Sequence, residues 1–221
     1  MVKIAVSWSG GKDSTMCLHT ILQDGKYDVS TLITTVTETY SRVSMHGVRE
    51  ELLDRQAESL GIKLVKIYIP ADCTNEVYER KMTDAYNELL GLGVEAVAYG
   101  DIFLEDVRRY REKNMKDTGL HPIFPIWGRN TRELAAEFLM LGYKAKIVCV
   151  DLNRLSESYV GREYDQEFLD MLPEDCDPCG ENGEFHTFVY KGPTFKKSIQ
   201  FTMGEKIVRN DRFCYQELIP I

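Results

Sequence analysis

The chain has 221 residues, is 43% hydrophobic and 28% charged, and carries a net charge of -8; the proportions are those expected of a soluble globular protein, and the length fits one larger domain or one domain plus a smaller appendage. No apolar run of about 18 residues is present and Met1 is not followed by a charged and then apolar leader, so neither a membrane span nor a secretory signal is expected and the cytoplasm is the expected compartment. The acidic balance repels polyanions and disfavours a nucleic-acid partner, although Arg108, Arg109, Arg111, Lys113 and Lys116 form a basic cluster that reads either as a solvated helix face or as a binding patch.

In chain order, residues 3–7 read as a short apolar strand, followed by Ser9-Gly10-Gly11-Lys12-Asp13-Ser14 and a helix with Cys17, Leu18, Ile21 and Leu22 at helical spacing, stopped at Asp24-Gly25. Residues 29–36 are rich in β-branched side chains and predict a strand. Residues 48–60 predict a helix with Leu52, Leu53, Ala57 and Leu60 on one face, and 64–69 a third strand. Asn75 is placed to cap a helix running to residue 92. Residues 94–99 predict a strand, 131–141 a helix and 145–150 another strand. From about residue 173 the pattern turns to short strands at 185–190, 198–202 and 213–219, separated by Gly, Pro and Asn-Asp signals. The alternation of strands and helices predicts an α/β fold, a Rossmann-like doubly wound parallel sheet with a smaller C-terminal α+β lobe. The expected division is a nucleotide-binding domain over 1–120 and a substrate-binding lobe over 121–221, with the sheet extending to about 150 as the alternative boundary. Six cysteines, scattered through periodic apolar segments, read as free thiols.

The segment SGGKDS between a strand and a helix reads as a phosphate-binding turn. Gly10 and Gly11 carry no side chain to obstruct backbone N–H groups converging on phosphate oxygens. Lys12 adds a point charge, Asp13 can reach a magnesium ion on the same phosphates, and Ser14 can bond phosphate or the helix N-terminus. A Walker A loop requires G-x-x-x-x-G-K-[ST]; here Val6 stands at its first glycine position and Asp13 follows Lys12. The dinucleotide fingerprint G-x-G-x-x-G is also absent here. Gly100-Asp101, at the end of another strand, is expected on the same sheet edge, where Asp101 reads as a ligand to metal, ribose or ammonium, or as a helix N-terminal acid.

SGGKDS resembles the PP-loop of the N-type ATP pyrophosphatases, which split ATP between its α and β phosphates. Further segments extend the resemblance over nearly the whole chain: Met45-His46, GDIFLEDVRRYRE from Gly100 to Glu112, PIW from Pro125 to Trp127, and GENGEFHTF from Gly180 to Phe188. Together they resemble the diphthine-ammonia ligase family and its bacterial relatives. The resemblance implies an ATP-dependent amidation in which a carboxylate is activated as an acyl-adenylate and ammonia displaces AMP. It implies ATP and Mg2+, with elongation factor 2 diphthine as acceptor in an archaeon or eukaryote. His186 stands where an acidic residue is expected in those members, and Cys176 and Cys179 precede it, as in a bacterial-type branch without diphthine.

The candidate catalytic residues are Lys12, Asp13, Glu181 and Glu184, the last two against the plainer reading of a solvated loop. Nucleotide binding is expected of Ser9, Gly10, Gly11, Lys12, Asp13, Ser14, His46, Gly100 and Asp101, with Asp13 as magnesium ligand. Substrate contacts are expected of Arg108, Arg109 and His186. Cys176-Asp-Pro-Cys179 supplies two zinc ligands and His186 a third, without a second C-x-x-C to complete the site. Two alternatives stay open, a PP-loop sulfur-transfer enzyme acting on tRNA and an adenine-nucleotide sensor without catalysis, and a homodimer is left open as an assembly.

Overall fold

The computed structural model describes residues 1–40, 42–43 and 46–221, with Tyr40 by its backbone alone; Met45 of the Met45-His46 segment lies outside them. The elements are β1 (Val2–Ser7), α1 (Lys12–Asp24), β2 (Tyr27–Thr37), β3 (Arg42–Val43), α2 (Glu50–Leu60), β4 (Lys63–Ile69), α3 (Asn75–Gly91), β5 (Ala96–Ala98), α4 (Glu105–Met115), β6 (His121–Ile123), α5 (Thr131–Met140), β7 (Lys144–Asp151), α6 (Gln166–Met171), β8 (Phe185–Lys191), β9 (Phe201–Arg209) and β10 (Phe213–Pro220). They fall into two compact units. One comprises Met1–Ser9, Asp13–Ser44 and Gly61–Gly128; the other comprises Gly10–Lys12, Met45–Leu60 and Arg129–Ile221.

In the first unit β1 pairs in parallel with both β2 and β5, β2 with β4, and β5 with β6, while β3 adds a short antiparallel pair at the end of β2. The strand order β4-β2-β1-β5-β6 reverses at β1, which is the signature of a doubly wound sheet and confirms the α/β expectation. α3 packs Met82, Ala85, Tyr86 and Leu89 against Ala5, Ile33, Val65, Ile67 and Val97 of the strands, a stripe at the i, i+3, i+4, i+7 spacing of an amphipathic helix. The helix is capped by Thr74, whose Oγ1 accepts from Val77 N–H at 3.3 Å. Asn75, expected as the cap, is therefore its first helical residue. Both residue types cap well, and the extended backbone falls at Thr74.

In the second unit the sheet is antiparallel in the order β8-β7-β10-β9. The strand expected at 145–150 as part of the parallel alternation is β7, central in this sheet between β8 and β10. Its apolar run announces a strand buried on both faces, but pairing was decided by partners that come later in the chain. The strand expected at 198–202 begins only at Phe201 and runs to Arg209. It joins β10 through Asn210 and Asp211, with φ of 52° and 50° and a bond from Arg212 N–H to Arg209 C=O at 3.1 Å. That is a type I′ turn, which suits the twist of a hairpin. Phe138, Tyr143, Tyr164, Phe168 and Phe185 form a chain of ring contacts with centroids 5.1 to 6.0 Å apart at the centre of this unit. Among the described residues no helix is long and apolar enough to cross a membrane.

Gly100 follows β5 where the chain approaches the first turn of α1. A Cβ there would lie 2.8 Å from the carbonyl carbon and oxygen of Asp13 and 3.0 Å from Ser14 N. Because these neighbours are backbone atoms, they cannot rotate away as a side chain would. Gly100→Ala should therefore destabilise by about 1–3 kcal/mol, read as a lower urea midpoint, and an unchanged midpoint would contradict this close approach.

Candidate functional site

β8 is an edge strand of the antiparallel sheet, so one row of its backbone groups lacks strand partners. Three groups on that row are satisfied from elsewhere in the second unit. Val189 N–H donates to Gly10 C=O at 2.9 Å, Val189 C=O accepts from Gln56 Nε2 at 2.6 Å, and Thr187 C=O lies 3.3 Å from His46 Nδ1. Gln56 Nε2 also reaches Gly10 C=O at 3.0 Å, so this buried amide of α2 joins the turn and the strand. Gly10 has φ +78°, and a Cβ on it would stand 2.7 Å from Gln56 Oε1; on Gly11 a Cβ would meet His46 Cε1 and Thr187 C=O at 3.0 Å. The two glycines are thus needed for close approach as well as for conformation.

Lys12 is 3% exposed. Its N–H donates to Thr187 Oγ1 at 3.0 Å, its ammonium donates to Cys179 C=O, and the ammonium stands 5.5 and 5.8 Å from the ring centroids of Phe185 and Tyr164. Cys179 opens the GENGEF loop, whose shape is set by two carboxylates. Asp177 Oδ2 accepts from Cys179 N–H at 3.1 Å and Glu181 N–H at 3.0 Å. Glu184 Oε1 accepts from Asp177 N–H and Asn182 Nδ2, each at 3.1 Å. Gly180 and Gly183 have φ of +65° and +86°. Glu184 is fully buried, and its second oxygen, Oε2, has no hydrogen-bond partner among the described residues. A bonded path, Lys12–Cys179–Asp177–Glu184, therefore connects the lysine of the turn to a carboxylate with one unsatisfied oxygen. Thr187, Gln56 and Asp177 were not singled out in the sequence; only the spacing of Asp177 ahead of two glycines hinted at an Asx-type turn.

His46 and His186 face each other with ring centroids 4.6 Å apart, and both are half-buried. Burial, aided by the Lys12 charge and opposed by the Thr187 bond, holds His46 down at about 4. Burial, then His46 and Lys12, hold His186 well below the ordinary imidazole value.

The remaining candidates belong to the first unit. Ser9 and Ser14 place their Oγ atoms 3.3 Å apart, and Asp13 lies in the first turn of α1. Asp101 pairs with Arg111 Nε at 3.4 Å, and that guanidinium stands 4.7 Å from the Tyr99 ring centroid. Arg108 binds Glu112 at 2.8 Å and stacks over Phe124 and Trp127 at 4.9 and 4.7 Å, which gives the PIW segment a packing partner. Arg109 is exposed, with Glu105 at 3.9 Å.

All six cysteines are free. Burial pushes the thiols of Cys149 and Cys176 up to about 12 and raises Cys17 as well. These three are protonated near neutrality, contrary to what sulfur transfer demands of a nucleophile. Among the described residues no group of three or more His, Cys, Asp or Glu side chains is placed to hold a metal.

The histidine values carry a stability consequence. Since the folded state holds them below the ordinary 6.5, the unfolded chain takes up protons first as the pH falls. Stability is then full above about pH 6.5 and declines toward about pH 4. The urea midpoint should fall across this window in the wild type and fall less in His46→Asn/His186→Asn, whereas equal declines would contradict the assignment.

The profile described as the diphthamide synthase N-terminal domain matches residues 2–122, and that of the diphthamide synthase C-terminal domain matches 130–217. A curated relative, the diphthine–ammonia ligase of Homo sapiens, is 28% identical over 95% of this chain and 86% of that protein. Among solved structures, a predicted tRNA methyltransferase subunit from Methanocaldococcus jannaschii is 18% identical, with a TM-score of 0.42, over 71% of this chain and 82% of that one. A U34-tRNA thiolase from Methanococcus maripaludis is 20% identical, with a TM-score of 0.39, over 64% of this chain and 57% of that one. With both halves of the profile accounted for, the chain belongs to the diphthamide synthase family and is an enzyme of the ligase class.

Proposed function

We propose that this ligase uses ATP to activate a carboxylate and then closes an amide on it. A carboxylate oxygen attacks the α-phosphorus, the bond to the bridging oxygen breaks, and pyrophosphate leaves. Ammonia attacks the acyl carbon of the resulting acyl-adenylate and expels AMP. A carboxylate is a poor electrophile until it carries such a leaving group. The observation that carries the reading is the bonded path from Lys12 to Glu184, which links a phosphate-type turn to a buried acceptor atom within one unit.

In this reading Ser9, Gly10, Gly11, Lys12 and Ser14 hold the departing pyrophosphate, and the Lys12 ammonium offsets the charge that builds on it. Asp13 holds Mg2+. That ion characteristically takes one or two carboxylates together with phosphate oxygens and water, and so needs no cage of protein ligands; bound, it would lower the charge on the leaving group. Gly100 and Asp101 face the nucleotide, while Arg108, Arg109 and His186 serve the acceptor. Glu184 Oε2 receives an N–H of ammonium and then its proton, freeing the nitrogen lone pair for attack. Leaving a buried acceptor unpaired costs about 1–3 kcal/mol, which a cationic donor would recover. Glu181 sits on the same loop, with its backbone fixed by Asp177. The human relative is named for diphthine and ammonia. In a eukaryotic or archaeal cell diphthine on elongation factor 2 is the acceptor; a bacterial source would call for another carboxylate.

With α-labelled ATP, Lys12→Ala and Asp13→Ala should each cut AMP release at least about 100-fold while the thermal melt stays cooperative. Label appearing in ADP, or AMP formed by both variants at the wild-type rate, would sink the reading. Glu184→Gln should depress amide formation more than exchange of labelled pyrophosphate into ATP; equal losses would remove Glu184 from the ammonia step.

A further inference from the structure

The contact between His46 and His186 lies beside the turn, within reach of the Lys12 charge. His46 Cε1 stands 3.0 Å from where a Gly11 Cβ would be. Its Nδ1, 3.3 Å from Thr187 C=O, is the nitrogen fixed as donor by that carbonyl, so Nε2 is the one left to accept a proton. Lys12 bears on both imidazoles.

The neighbours on the other elements are neutral or engaged, with Glu184 Oε2 the exception. Across the sheet Cys149 of β7 is in register with His186, and Tyr215 of β10 with Cys149. Burial pushes both of these acids up to about 12, so neither carries charge at pH 7. The Tyr215 ring lies 2.6 Å from the place of a Gly47 Cβ, and the Arg209 guanidinium covers that ring at 5.7 Å. Arg49, just before α2, is paired with Glu217 at 2.5 Å. Glu184, two residues before His186, directs Oε1 to Asp177 and Asn182. The charge that lowers both imidazoles is that of Lys12.

We propose that His46 and His186 form a seat for an oxyanion, a phosphate oxygen or a carboxylate, and that the pair captures a proton as this anion arrives. The inference rests on the ATP reading for the identity of the anion and goes beyond it in assigning the two histidines a proton-linked role. A cation at this place would add to the Lys12 charge, whereas an anion offsets both that charge and the loss of water around an imidazolium. Each proton captured makes binding up to tenfold tighter per pH unit as the pH falls between the bound and the free imidazole values.

Full-length protein is titrated calorimetrically with Mg-ATP, with inorganic pyrophosphate and with acetate, from pH 5.5 to 7.5, in buffers of different ionisation enthalpy. The expected result is about one proton taken up per ligand near pH 6 in the wild type, beyond that seen in His46→Asn/His186→Asn, with a steeper pH dependence of affinity. Uptake with ATP and pyrophosphate assigns the seat to phosphate, and uptake with acetate assigns it to the acceptor carboxylate. In the wild type the imidazole resonances should titrate at higher pH with ligand bound, a measurement that does not depend on the variants folding. ATP binding with identical proton uptake in wild type and variant, and unmoved imidazole titrations, would overturn the inference alone. Absence of binding by all three ligands would overturn both it and the ATP reading.

Discussion

The free edge of β8 is the constraint on which the second unit depends. An edge strand must cover its backbone groups or expose them to water and to other chains, and here the cover comes from Gly10 C=O, the Gln56 amide and the His46 ring. Closing a strand edge in this way fixes the turn to the strand. The same bonds that complete the sheet's polar bookkeeping hold Gly10, Gly11 and Lys12 in register with Thr187 and Val189. A substitution at either glycine disturbs packing and edge closure together, because a Cβ at either position meets Gln56, His46 or Thr187 at 3.0 Å or less.

The GENGEF loop repeats this economy on a smaller scale. Asp177 and Glu184 use their carboxylate oxygens unequally: Asp177 Oδ2 and Glu184 Oε1 order the loop, while Glu184 Oε2 is buried and unsatisfied among the described residues. Residues that only shape a loop tend to have all their buried polar atoms paired. The unpaired oxygen is the atom to which the proposed ammonia step is assigned, beside one that holds the loop.

In the first unit the topological switch at β1 brings the ends of β1 and β5 side by side, since Val6 is in register with Ala98. That is why Gly100 must be a glycine and why Asp101 emerges close to the start of α1. Asp101 is engaged by Arg111, and Arg108 by Glu112, Phe124 and Trp127. The basic cluster thus resolves into residues of different character. Arg108 and Arg111 are stacked and paired, while Arg109 lies on the exposed face of α4.

Local chemistry was legible in the sequence. The β-branched run of β2, the helical spacing after the turn, and the Gly-Gly-Lys-Asp-Ser order each reflect short-range steric and hydrogen-bonding rules that a few neighbouring residues satisfy among themselves. The doubly wound sheet followed from their alternation. What the chain could not reveal by itself were pairings between distant segments: that β7 would join the antiparallel sheet, that Gln56 of α2 would bridge Gly10 and Val189, and that Thr187 would cap Lys12 across 175 positions. Such contacts depend on which unsatisfied backbone edge is nearest after folding, and no local pattern encodes that; the tertiary structure alone decided them.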